Sequence, residues 1–481
     1  MNLADFVKIV FCFAVTGAFW FLPAYQEITV TGVRTIGVFT GTVLLLSIVD
    51  TLWPAFLSFA LLTLTGVMNM NQVLAGSIGN WIFTFVALSF VLTFALNKSG
   101  FTQRLTLWVL SRDFVKKSPW MFVYAFWGVS MFVGMFMDQI PAVGFCLAFG
   151  AKILSALGYG RRDRFSNMLV MGAVFSVNIG GAATPISHSL AMIGMAIYEK
   201  AFGSAIGMFT YIAFGVPAAI VMFALLCLVM RFVMNPDTSK FESFDLKEAL
   251  GEMKSMDLKE KTIVVVFFAT VLMWCLPGIL ALFLPYGHSV LVALGKYSIT
   301  FWAMIAVVFL AVLRINDEPI VKLKDMLDNG FPWSIIIFIA IGVLLGSAVA
   351  SPKCGITDFV IKNLTPVVQS MPALLVVVIL AFATVVMTNF SSNVTTITVM
   401  TTVATTLAMG AKTLNPVAIT LTTTMCGSLA YVLPSSFGAI AMLHADENSD
   451  GGAVIRYGCL MVVISSLCVA LIGYPLIAAL N

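Results

Sequence analysis

Charge is what this sequence has least of. Only 10% of its 481 residues are Asp, Glu, Lys or Arg, against 60% apolar residues, whereas soluble domains carry roughly 25% charged residues. Too little polar surface remains to cover a solvated globule. The 26 basic residues stand against 22 acidic ones and build no patch for a polyanion, which excludes a nucleic-acid partner. Histidine is scarce, at three residues, and neither a His pair nor a Cys-x-x-Cys spacing offers a metal cluster. The eight cysteines are scattered, mostly inside apolar runs, and read as free buried thiols rather than a disulfide framework. With no nucleophile–base pairing in view, the chain reads as neither an enzyme nor a cofactor carrier.

What the sequence has instead is long apolar runs. A bilayer core of about 30 Å takes roughly 20 residues of helix. Runs that fit lie at 6–24, 33–49, 52–67, 80–97, 165–198, 205–230, 261–283, 298–313, 331–350, 415–443 and 456–480. The first ends Leu22-Pro23-Ala24-Tyr25, a poor cleavage site, so it reads as a span and not a signal peptide. Lipid offers no partner to a free backbone N–H, so every span must be helical. The expected fold class is an all-α polytopic membrane protein of about 11 transmembrane helices plus two re-entrant hairpins.

The hairpins are 119–157 and 366–410, apolar stretches with loop-like centres. If each returns to the side it entered and the N-terminus is cytoplasmic, the cytoplasmic side collects 19 of the Lys and Arg residues, including Lys98, Arg104, Arg161, Arg162 and Arg231. The other side collects 6: Arg34, Lys200, Lys296, Lys353, Lys362 and Lys412. That bias fits the positive-inside rule and places a multi-pass protein in a cytoplasmic (inner) membrane.

The two halves repeat. Trp81 and Trp333 each open a span, and the hairpin centres fall at Asp138 and Ser392; the two offsets differ by only two residues. Each hairpin is followed by a span broken in its middle, at 165–198 and 415–443. The first hairpin opens inward and the second outward, so the repeat is inverted. The expected division is a first repeat at 1–233, a mixed-charge cytoplasmic linker at 234–260 and a second repeat at 261–481. Inverted repeats with interrupted helices in matching positions point to a secondary transporter's binding site.

The interruptions carry the chemistry. Met387-Thr388-Asn389-Phe390-Ser391-Ser392-Asn393-Val394-Thr395-Thr396 is a poor lipid-facing turn. It is a good re-entrant tip, because irregular backbone survives at depth only beside protein or water. The threonines from Thr398 onward read as bonding back to their own helical turn. The first tip reads Gly134-Met135-Phe136-Met137-Asp138-Gln139-Ile140-Pro141, and an intramembrane acid such as Asp138 is a functional candidate by default. The broken spans read Asn178-Ile179-Gly180-Gly181-Ala182-Ala183-Thr184-Pro185 and Leu433-Pro434-Ser435-Ser436-Phe437-Gly438. Their glycines admit another backbone and their prolines free carbonyls for a cation. His188 reads as locally hydrogen-bonded.

These segments resemble the divalent anion:sodium symporter (DASS) family of the ion transporter superfamily, the solute carrier family 13-like permeases, over nearly the whole chain. Thr388-Asn389-Phe390-Ser391-Ser392-Asn393-Val394-Thr395 is similar to the family's Ser-Asn-Thr tip motif. The resemblance implies a homodimer, a fixed scaffold with a transport domain moving as an elevator, and two sodium sites with a carboxylate between the tips. It places Thr388, Ser392 and Asn393 in the second tip, with backbone around Ser435 completing a cation site, and Gly180 and Gly181 in the first. Asp138-Gln139-Ile140 stands where the first Ser-Asn-Thr would be, and Val394 replaces the second motif's threonine.

Substrate contacts are therefore expected from Gln139, Thr184, Ser392, Asn393, Val394, Thr395, Pro434 and Ser435. Cation contacts are expected from Asp138, Asn178, Gly180, Gly181, Thr388, Ser391, Asn393 and Ser436, with Na⁺ at the tips held by Asp138, Thr388 and Asn393. The expected function is secondary active transport of a small anion, a di- or tricarboxylate first, coupled to Na⁺ or H⁺. The alternative is a cation/proton antiporter of the same superfamily with Asp138 as the exchange site.

Overall fold

A computed structural model describes residues 3–50, 52–187, 189–240, 255–285, 287–329 and 331–480. His188 and the 241–254 part of the linker lie outside the described residues. Apart from a two-residue antiparallel ribbon pairing Arg314–Ile315 with Glu318–Pro319, the described regular structure is helical. Its outer surface exposes large apolar side chains such as Phe21, Phe283 and Val312, a face suited to lipid rather than water.

Eight of the described helices are long and apolar enough to cross a membrane, or nine if Ser289–Gly295 and Ile299–Val312, bent by 66°, make one span. Val30–Leu46, Trp53–Thr65, Trp333–Val349 and Pro416–Cys426 are apolar but shorter. Three of the eight, Pro119–Phe136, Gln139–Ala156 and Ala373–Phe390, are hairpin arms, so only five match the eleven spans expected; several other runs are cut by breaks or stop short. At 1.5 Å per residue, 13 residues of helix reach only about 20 Å.

Two helical hairpins organise the interior. In the first, Pro119–Phe136 and Gln139–Ala156 meet at Met137 and Asp138. Ser118 caps the entry by accepting from Trp120 N at 3.2 Å, with Pro119 in the first turn where its missing N–H costs nothing. In the second, Ala373–Phe390 and Asn393–Gly410 meet at Ser391 and Ser392. Each hairpin is followed by an interrupted helix pair: Arg164–Ala183 with Ala191–Phe202, then Pro416–Cys426 with Gly438–Ala445.

These elements interlock across the chain. Helix Ala191–Phe202 packs on Asn393–Gly410 and Pro416–Cys426, while Gly438–Ala445 packs on Gln139–Ala156. Arg164–Ala183 is buried along nearly its whole length. Its fit against the first hairpin is set by Trp127, which donates to the Leu169 carbonyl at 3.0 Å. Three of the threonines expected to bond back do so: Thr402, Thr405 and Thr406 donate to the carbonyls of Thr398, Thr401 and Thr402 at 2.7–2.8 Å, whereas Thr401 bonds across to Thr423 and Thr424 and Thr398 Oγ1 has no partner among the described residues. Hydroxyls that bond back have no proton left to offer a ligand.

Candidate functional site between the hairpin tips

The first tip is built around a capping carboxylate and a buried amide. Asp138 Oδ1 accepts from Ile140 N at 3.0 Å, fixing the start of helix Gln139–Ala156. Gln139, 2% exposed, turns back toward the break and brings Nε2 to 3.4 Å from Asn178 Oδ1 and 3.5 Å from the Asn178 carbonyl. Asn178 in turn donates Nδ2 to the carbonyl of Ala430. Thr184 donates to the Met135 carbonyl and so ties the break to the end of the hairpin's first arm.

Gly180 and Gly181 are where the close approach happens. A Cβ on Gly180 would fall 2.0 Å from the Met131 carbonyl oxygen, and one on Gly181 would fall 1.7 Å from Gln139 Nε2. No side chain larger than hydrogen fits either place without displacement.

The second tip is an oxygen cluster. Thr388 Oγ1 lies 2.8 Å from Asn393 Oδ1 and 2.6 Å from the Gly427 carbonyl. One hydroxyl proton serves two acceptors, so three oxygens converge with a single proton among them. Beside it, Asn389 uses its whole amide. Its Oδ1 accepts from Tyr431 N at 2.6 Å and Val432 N at 2.8 Å, and its Nδ2 donates to the Val385 carbonyl at 2.7 Å. Ser391 Oγ lies 3.0 Å from Thr396 Oγ1, and Ser436 Oγ donates to the Leu433 carbonyl at 2.5 Å. Ser392 precedes helix Asn393–Gly410 without a side-chain cap, so that N-terminus keeps N–H groups open to an anion.

Between the tips lies a cavity of about 630 Å³ lined by Asp138, Gln139, Ser391, Ser392, Asn393, Val394, Pro434, Ser435 and Ser436. Leu46, Phe90, Ile335 and Phe338 close it from the flanking helices. Of the expected residues, Asn178, Gly180, Gly181, Thr184, Thr388 and Thr395 do not line it. They stand behind the wall, and Thr395 Oγ1 is buried without a partner among the described residues. Thr388 and Asn393 touch directly, while Asp138's hydrogen bond goes to Ile140. Asp138 also borders a second cavity of about 230 Å³ with Asn97 and Thr93.

Three lining or supporting residues were assigned no contact from the sequence: Ser187 and Ser189 in the first break, and Asn389, which stood only as part of the tip motif. A buried amide next to Thr388 in an otherwise apolar arm was the available signal for Asn389.

Apolar spans, paired hairpins and a polar cavity enclosed at the interruptions define the class: a polytopic membrane transporter. Comparison with known proteins gives the family. The profile of CitMHS, the citrate transporters, matches residues 41–424, and the chain belongs to that family, within the divalent anion:sodium symporter group of the ion transporter superfamily. The chain is 24% identical over 466 residues to the sodium-dependent high-affinity dicarboxylate transporter 3 of Caenorhabditis elegans, covering 88% of this chain and 80% of that one. It is 22% identical over 438 residues to the sodium-dependent dicarboxylate transporter SdcS of Staphylococcus saprophyticus, covering 88% and 81%. Among solved structures, the YdaH transporter of Alcanivorax borkumensis superposes with a TM-score of 0.54 at 11% identity, over 98% of both chains. The family and these relatives are transporters, not enzymes.

Proposed function

We propose that this protein is a secondary active transporter that carries a small di- or tricarboxylate across the cytoplasmic (inner) membrane with Na⁺ as the coupling ion. The observation that carries the reading is the convergence of Thr388 Oγ1, Asn393 Oδ1 and the Gly427 carbonyl behind a cavity that Asn393 also lines. Hard, uncharged oxygens short of protons suit a small cation. Asn393 then stands between the two ligands: its Oδ1 belongs to the oxygen cluster, and the residue also lines the cavity the anion would enter. The uncapped N-terminus at Ser392 adds a favourable dipole for a carboxylate. The sodium-dependent dicarboxylate relatives support the same pairing of ions.

In this reading residues 1–233 and 261–481 are inverted repeats, the N-terminus is cytoplasmic, and the hairpins with their interrupted helices form a transport domain. That domain moves as an elevator against a scaffold in a homodimer. At the first tip, Asp138 would hold a second cation or a proton, since a bare carboxylate beside an anionic substrate repels it.

The antiporter reading keeps one observation in its favour: Asp138 borders both the central cavity and the smaller one beside Asn97, a position suited to exchange. Uptake into proteoliposomes separates the two. A Na⁺ gradient should drive labelled succinate or citrate inward, and Asn393→Ala should abolish that uptake with the protein still in the membrane. Cation flux that needs no organic anion and disappears in Asp138→Asn would replace this reading with the antiporter.

A further inference from the structure

We infer that Asn389 couples the cation to the anion as a positioning residue: it makes the cavity wall at Pro434, Ser435 and Ser436 follow the oxygen cluster at Thr388, and it touches neither ligand. This rests on the transport reading above and deepens it. Helix Pro416–Cys426 ends one residue before Gly427, and the next helix begins only at Gly438. The stretch between them runs from the Gly427 carbonyl in the cluster to three residues that line the cavity. Without a continuous helical ladder, its course is set by the groups that bond its backbone.

Asn389 makes three of those bonds. Its Oδ1 accepts from Tyr431 N at 2.6 Å and Val432 N at 2.8 Å, and its Nδ2 donates to the Leu429 carbonyl at 3.2 Å. The other amide hydrogen goes to the Val385 carbonyl, one turn back on its own helix, at 2.7 Å. Every donor and acceptor of the side chain is used, at 1% exposure, and only an amide offers two of each. The neighbouring ties are single bonds: Thr388 Oγ1 to the Gly427 carbonyl, Asn178 Nδ2 to the Ala430 carbonyl, and His444 Nε2 at 2.9 Å from the Val432 carbonyl.

Thr388 and Asn389 are consecutive residues, so one turn of helix Ala373–Phe390 holds both the cluster and the break. Three oxygens with one proton among them repel each other; a cation reverses the sign and draws the Gly427 carbonyl onto Thr388 and Asn393. Asn389 clamps 429–432 to that same turn, so the wall at Pro434, Ser435 and Ser436 settles with the cluster instead of moving independently. An anion then meets a wall already ordered, and its binding is strengthened because less ordering remains to accompany it. Asn393 gives a second, direct route, since it belongs to the cluster and lines the cavity.

Thermal shift of the purified full-length protein tests this with citrate and succinate as probes, each titrated in Na⁺ and in K⁺. In the unmodified protein Na⁺ should raise the affinity for at least one of them about tenfold or more. In Asn389→Ala that factor should fall to about threefold or less, the residue being the direct route through Asn393. Na⁺ without anion should still raise Tm in the variant, because Thr388, Asn393 and Gly427 are untouched. A merely structural role would weaken both ligands together and leave the factor as it was. That result overturns the inference, and so does a Na⁺ shift lost outright in the variant. Hydrogen exchange over 428–437 needs no variant: Na⁺ should slow it in the unmodified protein, and exchange indifferent to Na⁺ overturns the inference. If Asn389→Ala fails to accumulate, that exchange decides. Na⁺ and anion that bind the unmodified protein independently overturn the inference alone. Binding of neither anion removes the transport reading itself, and this inference with it.

Discussion

Asn178 donates its amide hydrogen to the carbonyl of Ala430, a residue 252 positions further along the chain. The two tryptophans that open matching spans, Trp81 and Trp333, are separated by the same interval. The bond ties the first break to the segment that leads into the second. Asn178→Ala should leave the Ala430 carbonyl buried and unpaired, a loss of about 1–3 kcal/mol. A clear fall in Tm in detergent checks this, and an unchanged Tm would show that the contact carries no weight.

The oxygen cluster at the second tip predicts a sodium phenotype. Thr388→Val keeps the shape and removes the hydroxyl. It should weaken Na⁺ activation of uptake by about tenfold or more, on the scale of lost metal-site interactions, while Thr388→Ser stays close to the unmodified protein. Unchanged Na⁺ dependence in Thr388→Val would take Thr388 out of the cation site.

The glycine pair predicts an ordering. Gly180→Ala drives a methyl onto the backbone carbonyl of Met131, which has no easy retreat, whereas Gly181→Ala meets only the end of the Gln139 side chain. Gly180→Ala should therefore be the more destabilising, in the range of about 1–3 kcal/mol typical of overpacking. Gly17→Ala, with nothing within 4 Å, serves as the neutral control. Equal Tm values for the three variants would contradict the packing described.

The elevator proposal makes a mechanical prediction. Trp81 Nε1 donates to Glu199 Oε2 at 3.2 Å, bridging the span Trp81–Lys98, which belongs to the proposed scaffold, and helix Ala191–Phe202, which belongs to the proposed moving part. That bond has to break if one slides past the other. Bridging a Trp81→Cys, Glu199→Cys pair with a reducible bis-thiol cross-linker should stop uptake, and reduction should restore it. Uptake at the ordinary rate in fully cross-linked protein would rule out motion at this contact.

The parts of the architecture that come from composition were legible in advance. Long uncharged runs force helices wherever lipid withholds hydrogen-bond partners, and the polar interruptions at Asp138 and Ser392 stand out against them. The family likeness followed from those same interruptions. Less legible was the division of labour around the cavity. The family resemblance groups Asp138, Thr388 and Asn393 at the tips, but it cannot say that Thr388 bonds behind the wall while Asp138 caps its own helix. Asn389 was assigned no contact because its role is made by backbone of the second break, some 40 residues away. The Gln139–Asn178 pairing depends in the same way on how two distant helices cross.

The interlocking of helix Ala191–Phe202 with the second hairpin, and of Gly438–Ala445 with the first, has a consequence for how the protein is made. At roughly 5–20 residues per second, synthesis puts about 10–50 s between the appearance of Asn178 and that of Ala430. During that interval Asp138, Gln139 and Asn178 must wait in or beside the bilayer without the groups that will later surround them. The first half is thus made with its Gln139–Asn178 pairing available and its bond from Asn178 to Ala430 still to come.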